Sequence, residues 1–317
     1  MRQTFRMMSL LMMMLFVTAL MACGEGESGK NASDGGDDSS ETDQQKLGDK
    51  DVTLATDTYV SNIGATYVVK HLLEDVGYNV TVKETDVGIE FSGMATGSSD
   101  ASVGLWLPGT HASYWEEYKD KLNKMSMVTE EVELALTVPS YMEDINSIED
   151  LTNNKNNIGE KLEWDITGIS PGAGMMEITK EKVIPAYDLG DDWTLQPSSG
   201  PAMAAELKSA IDKKEPIVVT LWTPHWTFNE FDLKMLEDPK NKYGKPDNVY
   251  AVSRNGFKDD SPLAYKIIDQ FSWSKKQNQD VMYSIQSGMS NDDAAKKFLE
   301  NNPDMIDKWM DGVEKKK

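Results

Sequence analysis

Two short stretches combine the residue types best suited to holding a cation without hydrogen bonds. They are "LWLPGTH" (105–111) and "LWTPHW" (221–226), and between them they carry two of the three histidines in the chain. Trp106 ends the apolar run "ASVGLW" and Trp222 ends "PIVVTLW"; in each case a proline follows within two residues. Proline lacks the N–H that a central strand needs, so both runs read as strands that stop at the tryptophan. In open α/β sheets, ligands sit beyond the carboxyl ends of strands. An indole face attracts a cation through its ring quadrupole, even one with no N–H to donate. If the two strands belong to different halves of the molecule, the indoles become facing walls of an aromatic cage. The same spacing also suits two core tryptophans beneath a loop.

A third stretch, "ISPGAGMMEIT" (169–179), reads as a strand end, a glycine-rich turn and a helix start. Gly172 and Gly174 would leave backbone N–H groups open at the positive end of a helix, a seat for an anion. No Gly-Lys-Ser/Thr follows, and the spaced glycines of a dinucleotide fingerprint are missing, so a carboxylate fits better than a phosphate. A cation cage beside a carboxylate seat describes the chemistry of a betaine.

The elements that must position these groups alternate along the chain. Strand-like runs at 51–56, 78–84, 101–106, 132–139, 164–169, 193–198, 216–222 and 249–254 are interleaved with helical patterns at 62–76, 110–123, 174–187 and 201–213. That alternation predicts α/β architecture with largely parallel sheets. Beyond Asp260 the pattern is all-helical, with Pro262, Ser274, Asn291 and Pro303 near the expected starts. The run "MEDINSIEDL" reads as a helix start with an acidic first turn. Trp115, Trp164, Trp193, Trp273 and Trp309 are expected in the core, His71 half-exposed on a helix, and His225 and Trp226 shaping the loop after Trp222.

The N-terminus reads as a targeting segment. Arg2 and Arg6 precede an apolar stretch at 7–19 that is short for a bilayer span, and "LMAC" leads to Cys23, the only cysteine. A cysteine in that position resembles the lipobox of bacterial lipoproteins, which implies a signal peptide over 1–22 and a lipid anchor on Cys23. Residues 24–50 are rich in Gly, Ser and Asp, with Ala32 and Leu47 the only aliphatic side chains. Such a stretch cannot offset its ordering entropy by burial. It reads as an acidic tether reaching roughly 30 Å.

The formal charge of −21 argues against nucleic acid or anionic headgroups as the main partner. Without Arg2 and Arg6, 30 basic side chains face 53 acidic ones, a net −23. An enzyme is also disfavoured. No thiol remains once Cys23 is lipidated, three scattered histidines lack metal-ligand spacing, and there is no Gly-x-Ser-x-Gly elbow. Carboxylates are abundant, but none neighbours the tryptophan motifs in sequence. Neither a cofactor nor a bound metal is expected.

Taken together, "GLWLPGTHASYW", "VPSYMEDINSIEDL", "GISPGAGMM", "PIVVTLWTPHW" and "FDLKMLEDPK" resemble the glycine betaine-binding proteins of bacterial osmoprotectant ABC importers, over roughly residues 51–315. The resemblance implies a two-lobed, periplasmic-binding-protein-like (type II) α/β fold that closes on a ligand in the cleft between lobes. Lobe one is expected to comprise 51–137 plus 252–317 and lobe two 138–251, with hinge strands near 132–139 and 249–254. The implied partners are a betaine-class solute and a membrane permease with its ATPase. The implied location is the outer face of the cell membrane. Trp106 and Trp222 match two sides of the family's three-tryptophan cage. The third lies in relatives within a segment ending Trp-Asp-Ser-Glu; here that segment is "TDTYVSN" and the matching residue is Tyr59. Gly174 and Met175 match the amides that hold the carboxylate, and His111 matches a histidine lining the pocket. Carnitine, choline, proline betaine and sulfonium analogues remain alternative ligands, and a ligand-sensing lipoprotein an alternative role.

Overall fold

The computed structural model describes residues 47–313; Cys23, the apolar segment before it and most of the tether lie outside the described residues. Among the described residues nine strands occur, eight of them overlapping the expected runs and β8 in addition: β1 (Asp51–Thr56), β2 (Asn79–Glu84), β3 (Ala101–Leu107), β4 (Leu122–Pro139), β5 (Asp165–Thr167), β6 (Thr194–Gln196), β7 (Val219–Thr223), β8 (Leu233–Met235) and β9 (Asp247–Arg254). Their spatial order is β2-β1-β3-β9-β4-β7-β5-β6, with β8 added beside β4. The pairs β1–β2, β1–β3, β5–β6 and β5–β7 are parallel. Around β4 and β9 the pairing is antiparallel, so the sheet is mixed where a largely parallel one was expected.

β4 joins two sheets. Its stretch from Leu122 to Val132 pairs with β9, whereas Glu133 to Thr137 pairs with β7 and Thr137 to Pro139 with β8. A strand of 18 residues must bend to serve both, and its register against β9 shifts three times between Lys124 and Val132. Such bulges bend a strand and increase its local twist. Glu131, at φ 55°, sits at the change, its amide donating to Asn248 Oδ1 at 3.0 Å. Every pairing of β9 is with β3 or with the first part of β4.

Helices cover the sheets as their apolar faces require. Helix α1 (Val60–Val76) buries Val68, Val69, Leu72 and Leu73 completely and ends at Gly77, whose φ of 106° suits a left-handed cap. The short α2 (Val87–Ala95) and α3 (Ala112–Tyr118) flank β3 on the other side of Trp106. β3 is buried along its whole length, as a strand covered on both faces should be. In the helical tail, Ser274 and Gln277 form a reciprocal capping box, Ser290 caps the next helix, and Pro262 and Pro303 occupy first-turn positions. Trp273 and Trp309 pack there against Phe271 and Phe298. Ser147 and Asp150 make the corresponding capping box in "NSIED". His71 departs from expectation: it is 8% exposed, with its ring nitrogens 3.3 Å from Glu74 and 3.0 Å from Asp292.

Candidate functional site

All six ligand-binding residues expected from the sequence line one cavity. Trp106, Trp222, Tyr59, Gly174, Met175 and His111 surround a space of about 350 Å³, counting its open mouth, together with Asp57, Ser61, Asn62, Thr110 and an apolar remainder. β3 delivers Trp106 and β7 delivers Trp222, so the two indoles come from different sheets. Both remain buried, at 6% and 4% exposure. Tyr59, at the N-cap of α1, meets Trp222 edge-on with ring centroids 5.2 Å apart. The peptide bonds before Pro108 and Pro224 are both cis.

Beyond Trp106 the chain folds back on itself. The His111 amide donates to the Trp106 carbonyl at 2.9 Å, and the Trp106 amide donates to His111 Nδ1 at 3.1 Å. Burial pushes the imidazole down to about 3, so it is neutral. With Nδ1 accepting, its proton belongs on Nε2, as assigned from the hydrogen-bond pattern. His111 is thus a neutral donor in the cavity wall. Asp247 fixes this loop from the start of β9: its carboxylate accepts the Gly109 amide at 2.5 Å and both the Thr110 amide and hydroxyl, at 2.8 and 2.5 Å.

Opposite stands the helix opened by Gly174. Its N-cap residue, Ala173, supplies no side-chain cap, so the first-turn amides look outward for acceptors. Gly174 lies against the Thr110 backbone so closely that a β-carbon there would meet the Thr110 carbonyl oxygen at 1.7 Å. Two more contacts cross the mouth nearby: the Tyr114 hydroxyl donates to the Gly172 carbonyl at 2.7 Å, and the Ser113 hydroxyl to Glu177 at 2.8 Å.

His225 and Trp226 stand outside the cavity lining. His225 Nδ1 is 2.8 Å from the Thr227 hydroxyl, and its ring backs Trp222 at 4.8 Å. Trp226 stacks loosely between His225 and Phe231.

The tryptophan motifs do have carboxyl neighbours in space, contrary to their separation in sequence. Asp57 lines the cavity and Glu90 of α2 lies close by, 2% and 3% exposed. Burial pushes Asp57 up to about 7, despite hydrogen bonds from the Tyr59 amide and the Asn62 amide group. Burial and the neighbouring Asp57 charge push Glu90 up to about 8. Asn62 connects this pair to the cage, since its Oδ1 accepts from Trp106 Nε1 at 3.5 Å while its Nδ2 donates to Asp57 at 2.5 Å. Asp57 and Asn62 were in plain view in "TDTYVSN"; their approach to Trp106 depends on Gly104, where a β-carbon would press on Asn62 at 2.8 Å.

The raised acids and lowered histidines set opposite pH trends in stability. The folded protein holds protons on Asp57 and Glu90 that the unfolded chain loses above about pH 4, so stability falls as pH climbs from there to about 8. His111 and His225 stay neutral when folded but charge when unfolded, so they reduce stability as pH falls from about 6.5 towards 3. Glu90→Gln removes the Glu90 share of the first effect and leaves the histidine effect in place. In thermal melts without ligand it should raise Tm at about pH 8 and change it little at about pH 5, each kcal/mol being worth roughly 2–4 °C at this chain size. An equal shift at both pH values would contradict the assignment.

An α/β scaffold whose two sheets share a bent strand, with an aromatic-walled cavity between their strand ends, is the build of the periplasmic binding proteins, and solved structures agree. Lactococcal OpuAC, in its closed conformation with glycine betaine, matches with a TM-score of 0.76 and 37% identity, over 82% of this chain and 99% of that one. The glycine betaine/L-proline-binding protein ProX from Borrelia burgdorferi matches at 0.77 and 31%, over 82% and 96%. Residues 50–301 match the model of the substrate binding domain of ABC-type glycine betaine transport systems, and the chain belongs to that family. The glycine betaine/carnitine transport binding protein GbuC of Listeria monocytogenes is 48% identical over 162 residues; the chain spans 54% of its length.

Proposed function

We propose that this protein captures glycine betaine, or a closely related methylated-ammonium solute, outside the cytoplasm and delivers it to an ABC importer for osmoprotection. The observation that carries the reading is the cavity itself. Trp106, Trp222 and Tyr59 provide ring faces and edges, while Gly174, Met175 and His111 provide neutral N–H donors. A quaternary ammonium presents only methyl groups, so enclosure by rings must hold it; the carboxylate then takes the helix-start amides and His111 Nε2. The relatives support the choice of solute, one bound to glycine betaine and another named for glycine betaine and carnitine. The protein acts on its ligand by binding alone, with no catalytic step.

The two sheets correspond to the two lobes. The change of partner in β4, from β9 up to Val132 to β7 from Glu133, supports a divide there and a return crossing between β8 and β9. Lobe closure brings Thr110 and Tyr114 onto the Gly172–Gly174 turn. Cys23 carries the lipid, and the acidic segment from Gly24 to about residue 46 forms the tether that lets the binding domain reach its permease. The expected end at 50 is too late, because Leu47, Asp49 and Lys50 hydrogen-bond to Tyr78, Asp260, Ser261 and Asn79 of the domain. Calorimetric titration with glycine betaine, carnitine, proline betaine and choline tests the reading; saturable one-to-one binding of at least one supports it, and no heat with any of the four rejects it. Cys23→Ala should release the protein from membranes with its ligand affinity unchanged, as fractionation followed by titration would show. Membrane retention of the variant would rule out the anchor.

A further inference from the structure

The cage accounts for the rings around the cavity but not for the buried acids beside them. Asp57 Oδ1 accepts the Tyr59 amide at 3.0 Å and Oδ2 accepts Asn62 Nδ2 at 2.5 Å, which links the carboxyl to Trp106 through Asn62. The Ser102 hydroxyl of β3 is close enough to Glu90 to favour its ionised form, but Glu90 Oε2 is buried without a partner among the described residues. Two adjacent buried carboxyl groups resist double ionisation unless a counter-charge is supplied. Asn62 and Ser102 act on the pair as neutral groups, Tyr59 and neutral His111 line the cavity beside it, and Asp86 at the start of α2 acts on Tyr59. None of these is a cation. An ammonium held between Tyr59, Trp106 and Trp222 would be the positive charge that this corner lacks.

We propose that Asp57 is a counter-charge for the cationic end of the ligand, and that ligand entry drives a proton off the Asp57–Glu90 pair into solvent. The inference rests on the betaine-class reading above. One carboxyl O–H bond breaks, its electron pair stays on the oxygen, and water or buffer takes the proton; nothing is oxidised or reduced. A nearby opposite charge favours the ionised carboxylate. Below the titration range of the pair, binding must expel a proton, and affinity falls by up to about tenfold per pH unit. Above it the carboxylate is already formed and affinity levels off. Because the cation alone drives the release, a ligand without a carboxylate should release the proton too.

The test is calorimetric titration of the wild-type protein with glycine betaine and with choline, between about pH 6 and about pH 8.5, in two buffers of different ionisation enthalpy. The expected result is a buffer-dependent heat reporting release of up to about one proton, and an affinity that rises with pH, for every one of the two ligands that binds. Asp57→Asn should abolish both dependences and weaken binding at the alkaline end, whereas Glu90→Gln should move the dependence to lower pH. Glycine betaine binding with buffer-independent heat and constant affinity would overturn the coupling while leaving the betaine reading intact. Release with glycine betaine but not with bound choline would place the titrating group at the carboxylate end and also overturn it. Failure of both ligands to bind at any pH would overturn the coupling; only if carnitine and proline betaine were silent as well would the underlying reading fall with it.

Discussion

Trp222→Ala and Trp106→Ala should each weaken glycine betaine binding at least tenfold. A desolvated cation–π contact contributes on the order of 2 kcal/mol, and about 1.4 kcal/mol is a factor of ten. Both indoles are almost fully buried in the cavity wall, so the contact would be made away from water. Trp222 should be the more sensitive of the two, because its loss also removes the surface on which Tyr59 rests edge-on at 5.2 Å. Replacement by Phe should retain part of the affinity, since a ring face remains. Tyr59→Trp should keep or improve it, since indole is the stronger partner for a cation. Titration of the series decides; equal dissociation constants for wild type and both alanine variants would remove the cage.

Gly174→Ala should be equally damaging for a different reason. The added methyl group falls 1.7 Å from the Thr110 carbonyl oxygen, and nothing there is a flexible side-chain end that could swing away. Asp247 holds the Thr110 amide and hydroxyl, so the loop cannot retreat without breaking that clasp. The two halves would have to part by more than an ångström across the cavity mouth. Since the contact joins elements of different sheets, the substitution should spare the separate cores. It should leave the melting temperature of the ligand-free protein near that of wild type while weakening binding at least tenfold, about 1.4 kcal/mol or more. A variant that binds like wild type would show that Gly174 and Thr110 need not meet around the ligand.

Much of the architecture was legible because its strands are short apolar runs closed by turn residues. "PIVVTLWTP" announces both its strand and its end, and Ser274, Asn291 and Pro303 stand at helix starts, as expected. The first half of β4 was not legible. "LNKMSMVTEE" buries Leu122, Met125, Val128 and Thr129 with no two-residue period, because register shifts interrupt it, and its pairing with β9 bridges more than 100 residues of chain. Helix α2 was hidden by Gly88 and Gly93, which read as turn residues within nine positions. Trp106, Trp222 and the turn at Gly172 and Gly174 could be placed together because strand ends and glycine-rich helix starts converge in an open α/β sheet, whereas Tyr59, Met175 and His111 followed only from the family resemblance. The acidic corner could not be read that way. Nothing local marks Asp57 or Glu90 as buried, and nothing in "DNVY" shows that Asp247 grips a loop 137 positions earlier. Those roles belong to tertiary packing, where Gly104 lets Asn62 approach and Ser102 reaches Glu90.

The most direct test of the central claim is a crystal structure of residues 47–317 grown with glycine betaine. The trimethylammonium group should lie between the rings of Trp106, Trp222 and Tyr59. The carboxylate should accept hydrogen bonds from the Gly174 and Met175 amides, with His111 Nε2 within reach. A ligand bound in the opposite orientation, or outside this cavity, would contradict the account.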